Sequence, residues 1–150
     1  MTVSPMDEPA APGGDLVLDV SLSCAWCFAD EASPAAWAVL ERLKEGVAHV
    51  PALWLWETGN VLVQAEGRGR ITSAAIRTFL GLLETLPISI DHPTTASAWH
   101  DTVALARAHG LTAYDAAYLE LALRRGLPLA SRDKALQAAA RLEGVPLLPS

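Results

Sequence analysis

The sequence predicts an α/β domain, a central parallel sheet with helices on both faces. Three observations predict it. Short apolar runs, three to five residues long, alternate with stretches of helical periodicity from residue 16 to residue 148. Strands that alternate with helices in this way need helical crossovers, which make the sheet parallel and cover both of its faces. The chain has 150 residues, 51% of them hydrophobic, which suits one domain that buries roughly 70% of its unfolded surface.

The elements follow in order. Residues 1–14, MTVSPMDEPAAPGG, hold three prolines and two glycines but no Lys, no Arg and no apolar core. They read as a mobile tail and not as a signal peptide, which leaves 15–150 as the domain. LVLDV (16–20) is the first strand, followed by a helix-rich stretch to about Lys44. VAHV (47–50) is the second strand, stopped by Pro51, and ALWLWETGNVLVQAE (52–66) is a long apolar helix ended by GRGR. From Thr72 to about Leu86, Ile76, Phe79, Leu80 and Leu83 recur at i, i+3, i+4 and i+7 of a further helix. ISI (88–90) is the third strand, and residues 94–109 form a helix closed by Gly110. TAYDAAYLELALRRG (112–126) is another helix closed by glycine, LPLA (127–130) a fourth strand, 133–143 a helix and VPLL (145–148) the last strand. No apolar run approaches the ~20 residues of a membrane span, so a cytoplasmic protein is expected.

Composition narrows the function. The net charge is -6, from 11 basic and 17 acidic side chains. That balance argues against a passive nucleic-acid coat, where clustered cations supply affinity. It leaves room for a nuclease, whose metal-holding carboxylates raise the acidic count. Two cysteines form no disulfide framework.

Parallel strands bind ligands at their carboxyl ends. Asp19 ends the first strand, Asp133 lies three residues past the fourth, Asp115 opens the helix after GLT, and Glu57 sits early in the helix after the second strand. Each has a plain structural reading. Thr112 and Asp115 fit a capping box, Asp133 an N-cap, and Asp19 a turn position. Glu57 fits such a reading less well, because Trp54 and Val61 share its helical face and an unpaired acid there is costly. Four like charges in one cleft would raise one another's pKa values, a cost that a divalent cation removes. Oxygen-only ligation suits Mg²⁺ or Mn²⁺, which polarise a phosphoryl oxygen and lower the pKa of a bound water.

Other candidates carry less. Cys24-Ala25-Trp26-Cys27 imitates a redox motif, but Leu22, Ala25, Trp26 and Phe28 surround it and Asp19 is close, where a reactive thiol needs an electropositive setting. His49, His92, His100 and His109 show no zinc spacing. EGRGR lacks the third glycine and the preceding strand of a dinucleotide loop. Arg124 and Arg125 complement a helix C-terminus. Arg68, Arg70 and Arg77 form either a solvated face or contacts to phosphate or an acidic partner. Trp54 and Trp56 point to different sides of one helix, which places one of them at a partner surface.

LVLDVS, PALWLWETGNVL, LTAYDAAYLELA and PLASRDKAL resemble, in order, the four acidic motifs of PIN-domain ribonucleases, and are especially similar to VapC-type toxins of toxin–antitoxin pairs. The resemblance runs from about Leu16 to Leu148. It implies a PIN-like three-layer fold and a Mg²⁺-dependent endoribonuclease, with Mn²⁺ able to substitute. Asp19, Glu57, Asp115 and Asp133 are then the metal-binding and catalytic acids. Ser21, Asn60 and Ser131 match polar companions behind them. It further implies single-stranded RNA or an RNA loop as substrate, a small antitoxin as partner, and pairing of the chain with itself. The alternatives are a non-catalytic PIN-like binding module, whose acids serve only as caps, and a C-x-x-C thiol oxidoreductase.

Overall fold

The computed structural model describes residues 14–149; the tail expected over 1–14 lies outside them except for Gly14. The chain runs β1 (Leu16–Leu18), α1 (Val20–Ser23), a 3-10 turn (Cys24–Trp26), α2 (Pro34–Arg42), β2 (Ala48–Pro51), α3 (Leu53–Gly67), α4 (Ser73–Thr85) and β3 (Ile88–Asp91). A π-helical segment, Ser97–Thr102, then leads into α5 (Val103–His109), α6 (Ala113–Arg125), β4 (Leu129–Ala130), α7 (Lys134–Leu142) and β5 (Leu147–Leu148).

All five strands are parallel, in the order β3-β2-β1-β4-β5. Val17 sits at the centre of the register, opposite His49 on one side and Leu129 on the other. Every residue of β1 and β2 is buried. Successive strand side chains point to opposite faces, so complete burial requires a helical layer on each. The expected three-layer α/β architecture is therefore present. Helix α6 packs along β1, β2 and β4, and the fully buried Tyr118, Leu119 and Leu121 lie on it. Strand order reverses between β1 and β4. Their carboxyl ends therefore open the crevice in which open α/β sheets place ligands.

Several boundaries differ from expectation for local reasons. Strand β1 stops at Leu18, because Asp19 is extended but already receives the N–H groups of Leu22 and Ser23 on its carbonyl, starting α1. The helix-rich stretch to Lys44 is broken at residues 27–33. Ser33 caps α2 by accepting the Ala36 N–H, with Pro34 in the first turn, a start signal readable in the sequence. Strands β4 and β5 are shorter than expected, because Pro128 and Pro146 have no N–H to give. Their carbonyls still accept from Val17 and Leu129, and pairing begins one residue later.

Gly110 and Gly126 close α5 and α6 with φ of 64° each, the left-handed conformation expected of a C-cap glycine. Arg124 does more than complement a helix end. It forks onto Asp91 at 2.7 and 3.1 Å and reaches the buried Glu120 at 2.7 Å, joining α6 to the end of β3. Trp54 is buried and Trp56 is 72% exposed, as their spacing predicts. Among the described residues no helix is long and apolar enough to cross a membrane.

Candidate functional site

Asp19 sits at the carboxyl end of β1 and is only 2% exposed. It occupies the N-cap position of α1 yet accepts no capping hydrogen bond. Its Oδ2 instead receives two hydroxyl protons, from Ser21 and from Ser131, the latter at 2.7 Å. Both serines are tied to the loop after β4: Ser21 Oγ accepts the Arg132 N–H at 2.9 Å and Ser131 Oγ the Asp133 N–H at 3.0 Å. The pattern fixes one carboxylate oxygen and, among the described residues, leaves Oδ1 without a donor.

Asp133 does serve as an N-cap, its Oδ1 accepting from Leu136 N–H at 2.8 Å. Half of the expected capping box at α6 also forms, with Thr112 Oγ1 accepting the Asp115 N–H at 3.1 Å. Capping and a site role coexist, since a cap occupies a single oxygen of Asp133 and only the backbone of Asp115. Glu57, half-buried on α3, accepts a 2.6 Å hydrogen bond at Oε1 from the fully buried Tyr118. The sequence reading missed Tyr118. Its position three residues after Asp115 puts both on one face of α6 and was the available signal.

These carboxylates share one electrostatic field. Burial raises the Asp19 carboxyl above its ordinary range, against the lowering effect of the two serines, and the charges of Asp115 and Asp133 raise it further. Burial raises Glu57 likewise; the Tyr118 hydroxyl opposes this while Asp19 and Asp115 add to it. Asp115 is raised by burial and then by Asp133. In each of the three, burial is the main cause and a neighbouring carboxylate charge adds to it. As placed, no three His, Cys, Asp or Glu side chains among the described residues are close enough to hold one ion. The donors suit a hard divalent cation, being oxygens only, with one oxygen of Asp19 and one of Glu57 free of hydrogen-bond partners among the described residues.

Tyr118→Phe removes the donor to Glu57. The Glu57 carboxyl is expected to titrate at higher pH, with a loss of about 1 kcal/mol in stability. Carboxyl-carbon NMR across a pH series checks this, and an unmoved Glu57 titration would mean the hydroxyl does not support that charge.

Of the other expected residues, Asn60 is exposed on α3 and makes no side-chain hydrogen bond among the described residues. Arg68 and Arg70 line a cleft of about 550 Å³ that begins at Ser21 and Asp133; Arg77, exposed on α4, does not line it. Arg132 also lines that cleft and was not singled out from the sequence. Both cysteines are free. Burial pushes the Cys24 thiol up to about 12 and raises that of Cys27, the opposite of an activated thiol. His49 and His109 pair with Asp15 and Glu143 at 2.9 and 2.7 Å, away from the acids.

The PIN domain family model matches residues 16–142. No curated protein matches the chain. Among solved structures, PAE2754 from Pyrobaculum aerophilum is 23% identical with a TM-score of 0.64, over 87% of this chain and 82% of that one. VapC20 of Mycobacterium tuberculosis, a sarcin-ricin-loop-cleaving toxin, is 18% identical with a TM-score of 0.65, over 83% and 94%. A toxin–antitoxin complex from Klebsiella pneumoniae is 20% identical with a TM-score of 0.54, over 79% and 86%. The structural likenesses speak to the fold, and the family match spans most of the sequence, from β1 to the end of α7: the chain belongs to the PIN domain family.

Proposed function

We propose that this protein is a metal-dependent endoribonuclease and the toxin of a VapBC-type pair, hydrolysing RNA phosphodiesters with Mg²⁺ or Mn²⁺. One observation carries the reading: at the sheet's switch point the buried Asp19 is held by one oxygen between Ser21 and Ser131, which tie it to the loop that carries Asp133. These four would hold one or two ions. When bound, such an ion polarises the phosphoryl oxygen and lowers the pKa of a bound water. Ser21 and Ser131 hold Asp19 by Oδ2, and Oδ1 would be the oxygen that takes the ion. Tyr118 occupies Glu57 Oε1, which leaves Oε2 for the crevice. An unstacked RNA segment suits such a crevice, because its backbone is accessible.

The partner reading has its own support. Leu55 on α3 and Leu80 on α4 are exposed and line one groove with Leu83 and Leu86, and contiguous apolar surface of this kind marks protein interfaces. An antitoxin segment along it, with a basic side chain reaching the acids, would restrain the enzyme. The resemblance to VapC toxins also supports a homodimer and a cytoplasmic protein. The neighbouring VapC20 and the Klebsiella toxin–antitoxin complex agree with this reading as properties of those proteins.

Incubation of the purified chain with single-stranded RNA tests the proposal. Cleavage is expected with Mg²⁺ or Mn²⁺ and none in EDTA. Cys24→Ser with Cys27→Ser is expected to retain it. RNA binding without cleavage under either ion would favour a non-catalytic module, a rival that the capping role of Asp133 keeps in view. Loss of cleavage in a well-folded cysteine variant alone would transfer the chemistry to the thiols.

A further inference from the structure

The cleft beside the acids contains an internal occupant. Glu31, in the turn before α2, joins two arginines from distant parts of the chain. Its Oε1 accepts from Arg132 Nη1 at 3.3 Å, and its Oε2 from Arg70 Nη2 at 3.2 Å. All three side chains line the cleft of about 550 Å³, together with Ser21 and Asp133. The Arg132 backbone is two hydrogen bonds from Asp19, because its N–H donates to Ser21 Oγ, which in turn donates to Asp19. Arg70 is held independently of Glu31: its guanidinium lies 4.4 Å from the centre of the Phe28 ring and also pairs with Asp30 at 3.1 Å. Arg68 adds a third cation to the lining.

We propose that this cleft is the subsite for the RNA phosphate next to the scissile one, and that Glu31 occupies the phosphate's place until RNA displaces it. The inference rests on the ribonuclease reading and deepens it. Two guanidinium groups on either side of one carboxylate form a frame that also fits a phosphodiester, whose two free oxygens match the two of Glu31. The pairs are weak enough to exchange. Their side chains are 33–40% exposed, and exposed pairs of long side chains contribute little and are screened by salt. A phosphate arriving with its counterions released gains what Glu31 gives up. The walls below the arginines, Val20, Val61 and Ala65, are apolar and fit a ribose or a base face. The arrangement also answers the charge problem of an acidic chain. With a net charge of -6, RNA is repelled in general, and a local cationic frame is needed to bring a phosphate up to the carboxylates. Glu31 then sets a threshold, since only a ligand that outcompetes a tethered carboxylate enters.

Binding of a fluorescein-labelled single-stranded oligoribonucleotide to the full chain in EDTA, followed by anisotropy, tests the subsite apart from catalysis. Glu31→Gln keeps a hydrogen-bond acceptor but removes the competing charge, and is expected to tighten binding about fivefold. Arg132→Gln and Arg70→Gln are expected to weaken it, and each to reduce the slope of log affinity against log salt by about 0.7. In Mg²⁺, Arg132→Gln is expected to raise KM more than it lowers kcat. Unchanged RNA affinity in all three variants, with RNA still cleaved, overturns the subsite while leaving the ribonuclease reading intact. Binding of RNA without metal-dependent cleavage, with the three shifts as expected, keeps Glu31 as the displaced occupant of an RNA phosphate site but overturns the ribonuclease reading and the site's place beside a scissile phosphate. If the arginine variants bind RNA normally but lose a protein partner, the frame takes an acidic protein segment, and the inference is overturned.

Discussion

Asp19→Asn is expected to abolish RNA cleavage, by about a thousandfold or more, while raising the melting temperature of the metal-free protein. The two effects have one cause. Asp19 is 2% exposed, and burial together with the charges of Asp115 and Asp133 holds its carboxyl above the ordinary range. A buried charge in that setting costs folding free energy, and a divalent cation bound beside it relieves the cost. The amide is nearly isosteric, and its oxygen still accepts from Ser21 and Ser131, so the loop after β4 stays in place. On the proposed function, what is lost is the charge that would bind the ion, and with it the electrostatic part of the catalysis. A gain of about 1 kcal/mol corresponds to about 2–4 °C in a chain of this size. Calorimetry and a cleavage assay on the same preparation separate the outcomes. Retained cleavage would remove Asp19 from the site, and a lower melting temperature would mean that the carboxylate stabilises the fold.

The sequence revealed the sheet because its central strands are buried on both faces and so read as unbroken apolar runs. LVL and AHV needed no alternation to be recognised. Asp19 was legible for the same reason, as a charge where such a run stops. The edges of these elements were harder to read. Pro128 and Pro146 shorten β4 and β5 by withholding a donor, a local effect present in the sequence but outweighed there by apolar pattern. The Ser33-Pro34 helix start was likewise available and passed over.

The residues that complete the site were not legible, because the fold alone makes them neighbours. Tyr118 reaches Glu57 across 61 positions, and Glu31 reaches Arg132 across 101. Helical spacing could place Tyr118 on the face of Asp115, but it carries nothing about which distant residue either side chain meets. Asn60 and Arg77 show the converse. Each was reasonable by spacing, one helical turn after Glu57 or within a basic run. In the fold Asn60 faces solvent and Arg77 stands apart from the cleft.

The second large effect is expected in the stability of the protein as metal and pH are varied. Asp19, Glu57 and Asp115 all have carboxyls raised from ordinary values of 3.8, 4.5 and 3.8. Between the ordinary value and the raised one, the folded chain holds protons that the unfolded chain has released. Each group therefore stabilises the fold fully below its ordinary value, and the contribution is lost as pH rises through the folded value. Asp15 and Asp91 act in the opposite sense. Hydrogen bonds from His49 and Arg124 lower them, so their contribution is present above 3.8 and lost on acidification. The wild-type curve mixes the two, and the difference between wild type and Asp19→Asn isolates the site. That difference is expected to favour the variant at pH 7 and to shrink toward pH 4. Mn²⁺ at pH 7 acts on the same charges without protons. At a hundredfold excess over its dissociation constant it contributes about 2.7 kcal/mol, which raises the wild-type melting temperature by about 5–10 °C. If Asp19 is a ligand as proposed, the response is expected to be much smaller in Asp19→Asn, because the variant would lack that ligand and the repulsion an ion would relieve. An equal Mn²⁺ shift in the two proteins would show that the ion binds elsewhere, and a difference independent of pH would show that Asp19 is not held above its ordinary range.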